Sequence, residues 1–148
     1  GKSEGKFDNG LGELADADDA LDWLQRQNTN TNQCWVSGFS FGALMCMQLL
    51  MRRPEITRFI SISPQPNLYD FNFLAPCPAS GIMLHGKKDE LVPVEETQRL
   101  AQKLQSQKNI TVEYEEISGA NHFYDNEVHK LNKILCCYIE KELKSPFR

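Results

Sequence analysis

The chain has 148 residues, of which 41% are hydrophobic and 24% charged, and its formal net charge is −4. This length allows one domain with a sizeable core, and the acidic balance argues against binding to nucleic acid or to an anionic membrane surface. The longest apolar run, at 41–51, is interrupted by Gln48 and is too short to cross a bilayer, and no cationic-then-apolar leader begins the chain. We therefore expect a cytoplasmic protein.

The five cysteines are an odd number without a C-x-x-C spacing, which predicts reduced thiols rather than a disulfide framework or a shared metal site. Cys34, Cys46, Cys136 and Cys137 fall inside apolar segments, and we expect them to be core thiols. Cys77 lies in a predicted loop, so we expect it to be the most reactive of the five.

The spacing of apolar residues predicts an alternation of helices and strands. Asp8 or Asn9 can cap a first helix that ends near Gln27, and a short buried strand at 34–37 precedes a helix at 41–53 that is apolar on nearly every side. The predicted elements after Pro54 are a strand at 57–63, a proline-rich segment at 64–80 that is a long loop or a short-helix insert, a strand at 81–86, a helix at 94–108, a strand at 110–117 and an amphipathic helix at 127–144. This order predicts an α/β fold with a mostly parallel sheet and helices on both faces.

A Gly-x-Ser-x-Gly pentapeptide, Gly-Phe-Ser-Phe-Gly at 38–42, lies between the predicted strand at 34–37 and the helix that follows it. In this position the pattern is typical of a nucleophile elbow, because the glycines permit a tight turn that exposes the hydroxyl of Ser40. A serine hydroxyl is a poor nucleophile until a base takes its proton. The sequence must therefore supply a base and an acid nearby.

Asp89 follows the predicted strand at 81–86, and His122 follows the strand at 110–117. Loops that leave the carboxyl ends of parallel strands gather at one edge of the sheet, so both side chains are expected near Ser40. The chain order Ser, Asp, His is the one expected for a nucleophile elbow on such a sheet. We predict Ser40 as nucleophile, His122 as base and Asp89 as acid.

Other side chains compete for these roles. His85 ends a strand, where packing should occupy it, and His129 lies on the last helix, where it should be exposed. Asp89 is preferred as the acid because it falls in the turn after a strand, and the alternatives are Asp70, Glu90 and Asp125. No H-E-x-x-H spacing occurs, and the glycine clusters fit neither G-x-G-x-x-G nor a P-loop, so neither a metal nor a nucleotide cofactor is expected.

These motifs together give the chain a resemblance to the α/β-hydrolase superfamily. The resemblance rests on the pentapeptide at 38–42, on His-Gly-Lys-Lys-Asp-Glu-Leu-Val-Pro at 85–93 and on Gly-Ala-Asn-His-Phe at 119–123. The stretch at 1–8 also looks like the loop after the family's fourth strand. The likeness covers nearly the whole chain and is closest to compact bacterial candidate esterases of the dienelactone-hydrolase and dipeptidyl-peptidase-like branches.

The resemblance also implies that the family's first four strands and first helix are absent from this sequence. We therefore expect residues 1–148 to form a single α/β-hydrolase domain that lacks its N-terminal strands. In the family one backbone donor of the oxyanion hole comes from the missing part, which leaves the N–H of Phe41. The strand that leads to Ser40 should have an open edge, which favours self-association or docking of a partner chain.

The function expected from these residues is hydrolysis of small-molecule carboxylic esters through an acyl-Ser40 intermediate, with thioesters or peptide-like bonds as less favoured substrates. The alternative is a non-catalytic or partner-dependent piece of a hydrolase. The proline-rich loop carries apolar side chains that either line a substrate pocket near Ser40 or cover the sheet edge, namely Leu68, Tyr69, Phe71, Phe73 and Leu74.

Overall fold

The computed structural model describes Lys2 and residues 4–144. The elements follow one another as α1 (Leu11–Gln27), β1 (Trp35–Phe39), α2 (Phe41–Arg52), β2 (Arg58–Ile62), β3 (Ser80–Gly86), α3 (Val94–Gln105), β4 (Val112–Ile117) and α4 (Val128–Lys144). The strands form one parallel sheet in the order β1-β2-β3-β4. The predicted α/β fold with a parallel sheet is confirmed.

Successive strand residues point to opposite faces of the sheet, and each face has its own core. Phe59 and Met83 face the main core, where they meet the buried faces of α1, α2 and α3. Ile60 and Ile82 face the other way and pack against α4 with Tyr138. Helices therefore cover both faces, as the apolar runs of the central strands require.

The N-cap residue of the first helix is Gly10, and Asp8, one of the two predicted capping residues, supplies the carboxylate that caps its first turn. The Asp8 carboxylate accepts the backbone N–H groups of Leu11 at 3.1 Å and Gly12 at 3.0 Å, and the Glu13 side chain accepts the N–H of Gly10 at 2.9 Å. These bonds satisfy donors that the first turn of a helix leaves without partners. Farther along, α2 is apolar and largely buried, which agrees with its predicted central place.

Strand β1 departs from the prediction in two respects. It continues to Phe39 instead of ending at residue 37, because Gly38 and Phe39 still pair with Ser61 and Ile62 of β2. It is also half-buried instead of buried, because β2 is its sole neighbour among the described strands. The predicted open edge next to Ser40 is therefore present in the described part of the chain.

The segment between β2 and β3 has turns without a helix, yet part of it belongs to the main core. Phe71, Leu74 and Cys77 are each buried. Cys77 was predicted to be the most reactive thiol because it lies in a loop, but it is buried. Burial raises the pKa of Cys77 and so disfavours the reactive thiolate, which removes the basis of that prediction. Cys136 and Cys137 were expected in the core but are exposed on α4.

Helix α3 ends at Gln105 instead of residue 108. The Ser106 hydroxyl donates to the carbonyl of Lys103 at 2.8 Å, which closes the last turn. The Gln107 side chain then reaches back to the proline-rich segment, where it bonds the carbonyl of Leu74 and the N–H of Cys77, each at 2.7 Å. No helix in the described part of the chain has the length and apolar character needed to cross a bilayer.

Candidate active site

Ser40 stands on a strained turn between β1 and α2. Its backbone adopts φ 55° and ψ −119°, a region that side-chain-bearing residues rarely occupy, and its N–H donates to the carbonyl of Ile62 at 2.8 Å. A Cβ atom at Gly38 would lie 2.0 Å from the carbonyl oxygen of Gly42, so the turn requires glycine there. The sequence thus forces an elbow that presents the Ser40 hydroxyl at the carboxyl end of β1.

Asp89 lies in the loop after β3 with its carboxylate fully buried. Its Oδ1 atom accepts the backbone N–H groups of Leu91 at 2.8 Å and Val92 at 2.9 Å. Its Oδ2 atom lies 2.7 Å from Nδ1 of His122. The two backbone donors fix the orientation of the carboxylate, so that its second oxygen points at the imidazole.

The loop after β4 carries His122 and is bound directly to the loop that carries Asp89. Lys87 donates its N–H to the carbonyl of Ile117 at 3.0 Å, and Lys88 donates to the carbonyl of Ala120 at 2.8 Å. A Cβ atom at Gly86 would lie 2.5 Å from the Ala120 oxygen. Glycine at the end of β3 is therefore what allows the His122 loop to approach this closely.

The three predicted side chains form one hydrogen-bonded chain. His122 Nε2 lies 2.8 Å from Ser40 Oγ, and His122 Nδ1 lies 2.7 Å from Asp89 Oδ2. A carboxylate can only accept, so Nδ1 carries the proton and Nε2 is left to accept from the serine hydroxyl. The imidazole is itself buried, at 3% exposure, which shields both bonds from competing water.

The other candidate bases and acids take no part in the hydrogen bonds that join Ser40, His122 and Asp89. His85 is buried between the carbonyl of Val92, 3.1 Å from its Nε2, and the hydroxyl of Thr97, 3.3 Å from its Nδ1. Burial lowers the pKa of His85, so it stays neutral. His129 is exposed on α4. The alternative acids are bonded to other groups or face solvent: Asp70 accepts the N–H of Asn72, Asp125 accepts from the side chain of Asn121, and Glu90 is exposed.

A buried hydroxyl pair lies beside these loops and was missed by the sequence reasoning. Ser63 Oγ and Tyr124 Oη are 2.9 Å apart, and both residues have positive φ angles, 45° and 59°. Burial raises the pKa of Tyr124 to about 12, so the phenol stays protonated. The pair joins the end of β2 to the loop of His122, and no local pattern announces a contact between residues 61 positions apart.

Two exposed aromatic rings, those of Phe39 and Phe123, flank His122 and were also missed. Their ring centroids lie 5.3 and 5.1 Å from the centroid of the imidazole. Each ring immediately adjoins a predicted site residue in sequence, since Phe39 precedes Ser40 and Phe123 follows His122. These positions next to predicted site residues are the sequence signal from which both rings could have been placed near the site.

The predicted lining residues of the proline-rich segment have different environments. Tyr69 packs against Phe41 with ring centroids 5.9 Å apart, while Leu68 is 63% exposed. Phe71 is buried in the main core and stacks on the half-buried Phe73. Because Phe71 belongs to the core, its position favours packing against the sheet over lining a substrate pocket. Substrate binding by Leu68, Tyr69, Phe71 and Phe73 stays a prediction.

Within the described residues, no group of three or more His, Cys, Asp or Glu side chains is arranged to hold a metal ion.

Comparisons with known proteins agree with this architecture. An uncharacterized protein of Rickettsia prowazekii is 46% identical over 143 residues, which cover 94% of this chain and 60% of that protein. A structure from Agrobacterium tumefaciens, described as a protein of unknown function and a candidate alpha/beta hydrolase, is 49% identical with a TM-score of 0.94. The match covers 97% of this chain and 66% of that one. A structure of an alpha-beta serine hydrolase homologue from Coxiella burnetii is 31% identical with a TM-score of 0.81, covering 91% of this chain and 62% of that one. The chain thus spans 60–66% of the length of these relatives.

The sequence model of the X-Pro dipeptidyl-peptidase family, S15, matches residues 1–131 of the 148. The matched range contains the strained serine turn and both loops that supply Asp89 and His122. The chain therefore belongs to the X-Pro dipeptidyl-peptidase (S15) family and has the α/β-hydrolase fold.

Proposed function

We propose that this chain is a serine hydrolase that cleaves small-molecule carboxylic esters, with Ser40 as nucleophile, His122 as general base and Asp89 as the acid that orients it. The observation that carries the proposal is the continuous chain of two short hydrogen bonds, 2.8 Å from Ser40 to His122 and 2.7 Å from His122 to Asp89. This arrangement activates a serine hydroxyl, because the imidazole takes the serine proton and the carboxylate stabilises the imidazolium.

The reaction proceeds in two balanced halves. Ser40 Oγ attacks the ester carbonyl carbon while its proton passes to His122 Nε2, and the imidazolium is stabilised by the buried Asp89 carboxylate. The same proton is then donated to the leaving alcohol oxygen as the C–O bond breaks, which leaves an acyl-Ser40. Water attacks this acyl group with His122 again as base, and the carboxylic acid product departs as Ser40 regains its proton.

The negative oxygen of each tetrahedral intermediate needs hydrogen-bond donors. Phe41 is the first residue of α2, and the first N–H groups of a helix have no acceptor within it. The helix dipole places partial positive charge at the same point. We assign the N–H of Phe41 as one oxyanion donor, in agreement with its position directly after Ser40.

Labelling with a fluorophosphonate probe tests the proposal without knowledge of the natural substrate. We expect the wild-type chain to be labelled at Ser40 and Ser40→Ala to be unlabelled, with turnover of a simple ester lowered by several orders of magnitude. Ser118→Ala is the matched control, because Ser118 is exposed in the loop after β4 and should remain inert. Unlabelled wild-type protein, or equal ester turnover in Ser40→Ala, would contradict the assignment.

Peptide bonds are the second candidate substrate class, favoured by the match to the X-Pro dipeptidyl-peptidase family. The same side chains can cleave an amide, provided that His122 protonates the leaving amine. Parallel assays with an ester and with an X-Pro dipeptide amide separate the two classes. Cleavage of the amide at a rate comparable with the ester would replace the esterase assignment by a peptidase one.

A partner-dependent form of the same activity is the alternative. Its support is the open edge of β1, together with the span of 60–66% of the relatives' length. A second copy or another chain paired with β1 would cover the edge and bring a further oxyanion donor within reach of the site; one donor is worth about 100- to 1000-fold in kcat. Size-exclusion chromatography combined with an ester assay distinguishes partner-dependent from independent activity, since a stable monomer with ordinary esterase rates would exclude the need for a partner.

The free thiols fit a reducing compartment, and we propose the cytoplasm as the site of action.

A further inference from the structure

The rings of Phe39 and Phe123 form an apolar rim that the fold does not use. Phe39 is 40% exposed and Phe123 is 60% exposed, and their centroids lie 6.2 Å apart. Neither ring belongs to any of the hydrophobic core clusters of the described residues. Both are held against the buried imidazole of His122 and leave their remaining surface open.

The other aromatic group near Ser40 differs in this respect. Phe41 packs against Tyr69 and Phe7, and the rings of Phe41 and Tyr69 are half-buried against the main core. Their burial is accounted for by folding. Large exposed rings beside a reactive side chain have no such account, and they are typical of surfaces that bind a ligand.

The chemistry of acyl transfer determines what the rim would touch. A subsite at the rim therefore presupposes the proposed function. The proton taken from Ser40 by His122 Nε2 must be handed to the oxygen of the leaving alcohol, so that oxygen has to lie within hydrogen-bond distance of the imidazole. The carbon chain attached to it then extends past the groups that surround the imidazole, which are Phe39 and Phe123.

We propose that Phe39 and Phe123 form a leaving-group subsite, which selects esters of apolar alcohols. The rim has no charged or hydrogen-bonding side chain of its own, so it discriminates by contact area. Each methylene of the alcohol that is removed from water against the rings raises kcat/KM by about fourfold. The acyl half of the substrate lies on the other side of the Ser40 Oγ–carbonyl bond and does not contact this pair.

Two matched series of esters test the subsite. In the first series, ethyl, butyl and hexyl acetate lengthen the alcohol while the reactivity of the leaving oxygen stays constant. In the second, ethyl acetate, ethyl butanoate and ethyl hexanoate lengthen the acyl group. We expect kcat/KM of the wild-type chain to rise by about 15-fold from ethyl to butyl acetate, and this rise to be lost in the Phe39→Ala/Phe123→Ala double variant without a change along the acyl series.

Control variants separate binding from other roles of the rings. Phe123→Leu keeps apolar area and should retain most of the rise, and Leu143→Ala removes an exposed apolar side chain on α4 and should behave as wild type. An alcohol series that is unchanged in the double variant would overturn the subsite while Ser40 is still labelled by the fluorophosphonate. Loss of labelling in the double variant would instead make the rings positioning residues for His122, which also overturns the subsite. Failure of the wild-type chain to be labelled would overturn the proposed function and the subsite together.

Discussion

The two halves of the candidate site are held by different physical means. Asp89 and His122 lie on loops after the neighbouring strands β3 and β4, and the loops are joined by backbone hydrogen bonds and by the buried carboxylate. Ser40 lies at the end of β1, an edge strand of the described sheet, on a turn with φ 55° whose shape depends on close contact between Gly38 and Gly42. The acid and base are therefore fixed by hydrogen bonds between loops that Gly86 allows to approach closely, and the nucleophile is fixed by backbone strain.

This difference indicates which changes will damage each half. On the side of Asp89 and His122, the direction of single hydrogen bonds decides whether the imidazole can accept a proton. On the side of Ser40, backbone packing decides where the hydroxyl stands. Substitutions that keep shape but reverse a donor should be most harmful in the first half, and added carbon atoms should be most harmful where backbones touch.

Asp89→Asn is expected to have the largest effect, although it barely changes the size of the side chain. The amide oxygen will keep accepting the N–H groups of Leu91 and Val92, so the amide nitrogen will face His122 Nδ1. Nδ1 must then accept, which leaves the proton on Nε2, where it can no longer take one from Ser40. We expect kcat/KM on a simple ester to fall by about 10⁴-fold.

The thermal midpoint of Asp89→Asn checks that reading, because the tautomer argument predicts a protein that is folded and inactive. Asp70→Asn is the matched control, since Asp70 bonds only the N–H of Asn72 in an exposed turn. Activity in Asp89→Asn within tenfold of the wild type would show that the hydrogen-bond direction does not control His122.

Gly86→Ala should have the next largest effect, and it acts through packing. The added methyl group would lie 2.5 Å from the carbonyl oxygen of Ala120, so the loop that carries His122 must move away. A displacement of this kind costs about 1–3 kcal/mol of stability. A shift of about 1 Å in a catalytic group lowers activity by about 100-fold. Chemical denaturation and an ester assay measure the two effects.

Gly42→Ala is the contrasting glycine substitution for stability. A Cβ atom there meets no described atom within 4 Å, and Gly42 lies in the first turn of α2. Alanine in a helix is more favourable than glycine by about 0.5–1 kcal/mol. Equal stability changes in Gly86→Ala and Gly42→Ala would contradict the claim that the close approach of the two loops depends on Gly86.

Much of this architecture could be predicted from the sequence because it depends on local patterns. The alternation of apolar runs predicted the parallel sheet, and Ser40, Asp89 and His122 were each predicted from their place after a strand. The structure brings those three side chains within hydrogen-bond distance, while their catalytic roles stay a proposal. Features set by residues distant in sequence were not predicted, as the contact of Ser63 with Tyr124 demonstrates.

The errors have the same origin. Cys77 was expected to be reactive because it lies in a predicted loop, but this segment packs against the main core, and Gln107 bonds the backbone of Cys77. Cys136 and Cys137 were expected in the core because they fall inside an apolar segment, but the buried stripe of α4 is narrow and leaves both exposed. Local composition predicts that a helix or loop exists but not which of its side chains tertiary packing covers.

The second buried histidine gives a smaller and pH-dependent effect. Burial lowers the pKa of His85 below its ordinary value of 6.5. As the pH falls below about 6.5, the unfolded chain binds a proton at His85 that the folded chain does not, so stability is full above this pH and declines below it. The slope from one such group is at most about 1.4 kcal/mol per pH unit.

Urea denaturation at several pH values between 5 and 7 measures this slope. His85→Gln should be less stable overall, because it replaces a packed imidazole bonded to Val92 and Thr97, but its stability should depend less steeply on pH. His129→Gln, at an exposed position on α4, should keep the wild-type slope. Identical slopes in the wild type and His85→Gln would show that the buried imidazole does not link folding to protons.

The smallest expected effect is a difference in hydrogen exchange between β1, the strand before Ser40, and β3, the strand before Asp89. Strand β3 pairs with β2 and β4, whereas β1 pairs with β2 alone among the described strands, so alternate N–H groups of β1 lack a sheet partner on the outer edge. In hydrogen exchange we expect a peptide covering Trp35–Phe39 to exchange at least about tenfold faster than one covering Ser80–Gly86. Dilution sharpens the result, because a second copy paired with the edge would slow exchange in β1 as the protein concentration rises and leave β3 unchanged. Equal protection of both strands in dilute protein would mean that the edge is already covered, and β1 would then be supported on both sides, as β3 before Asp89 is.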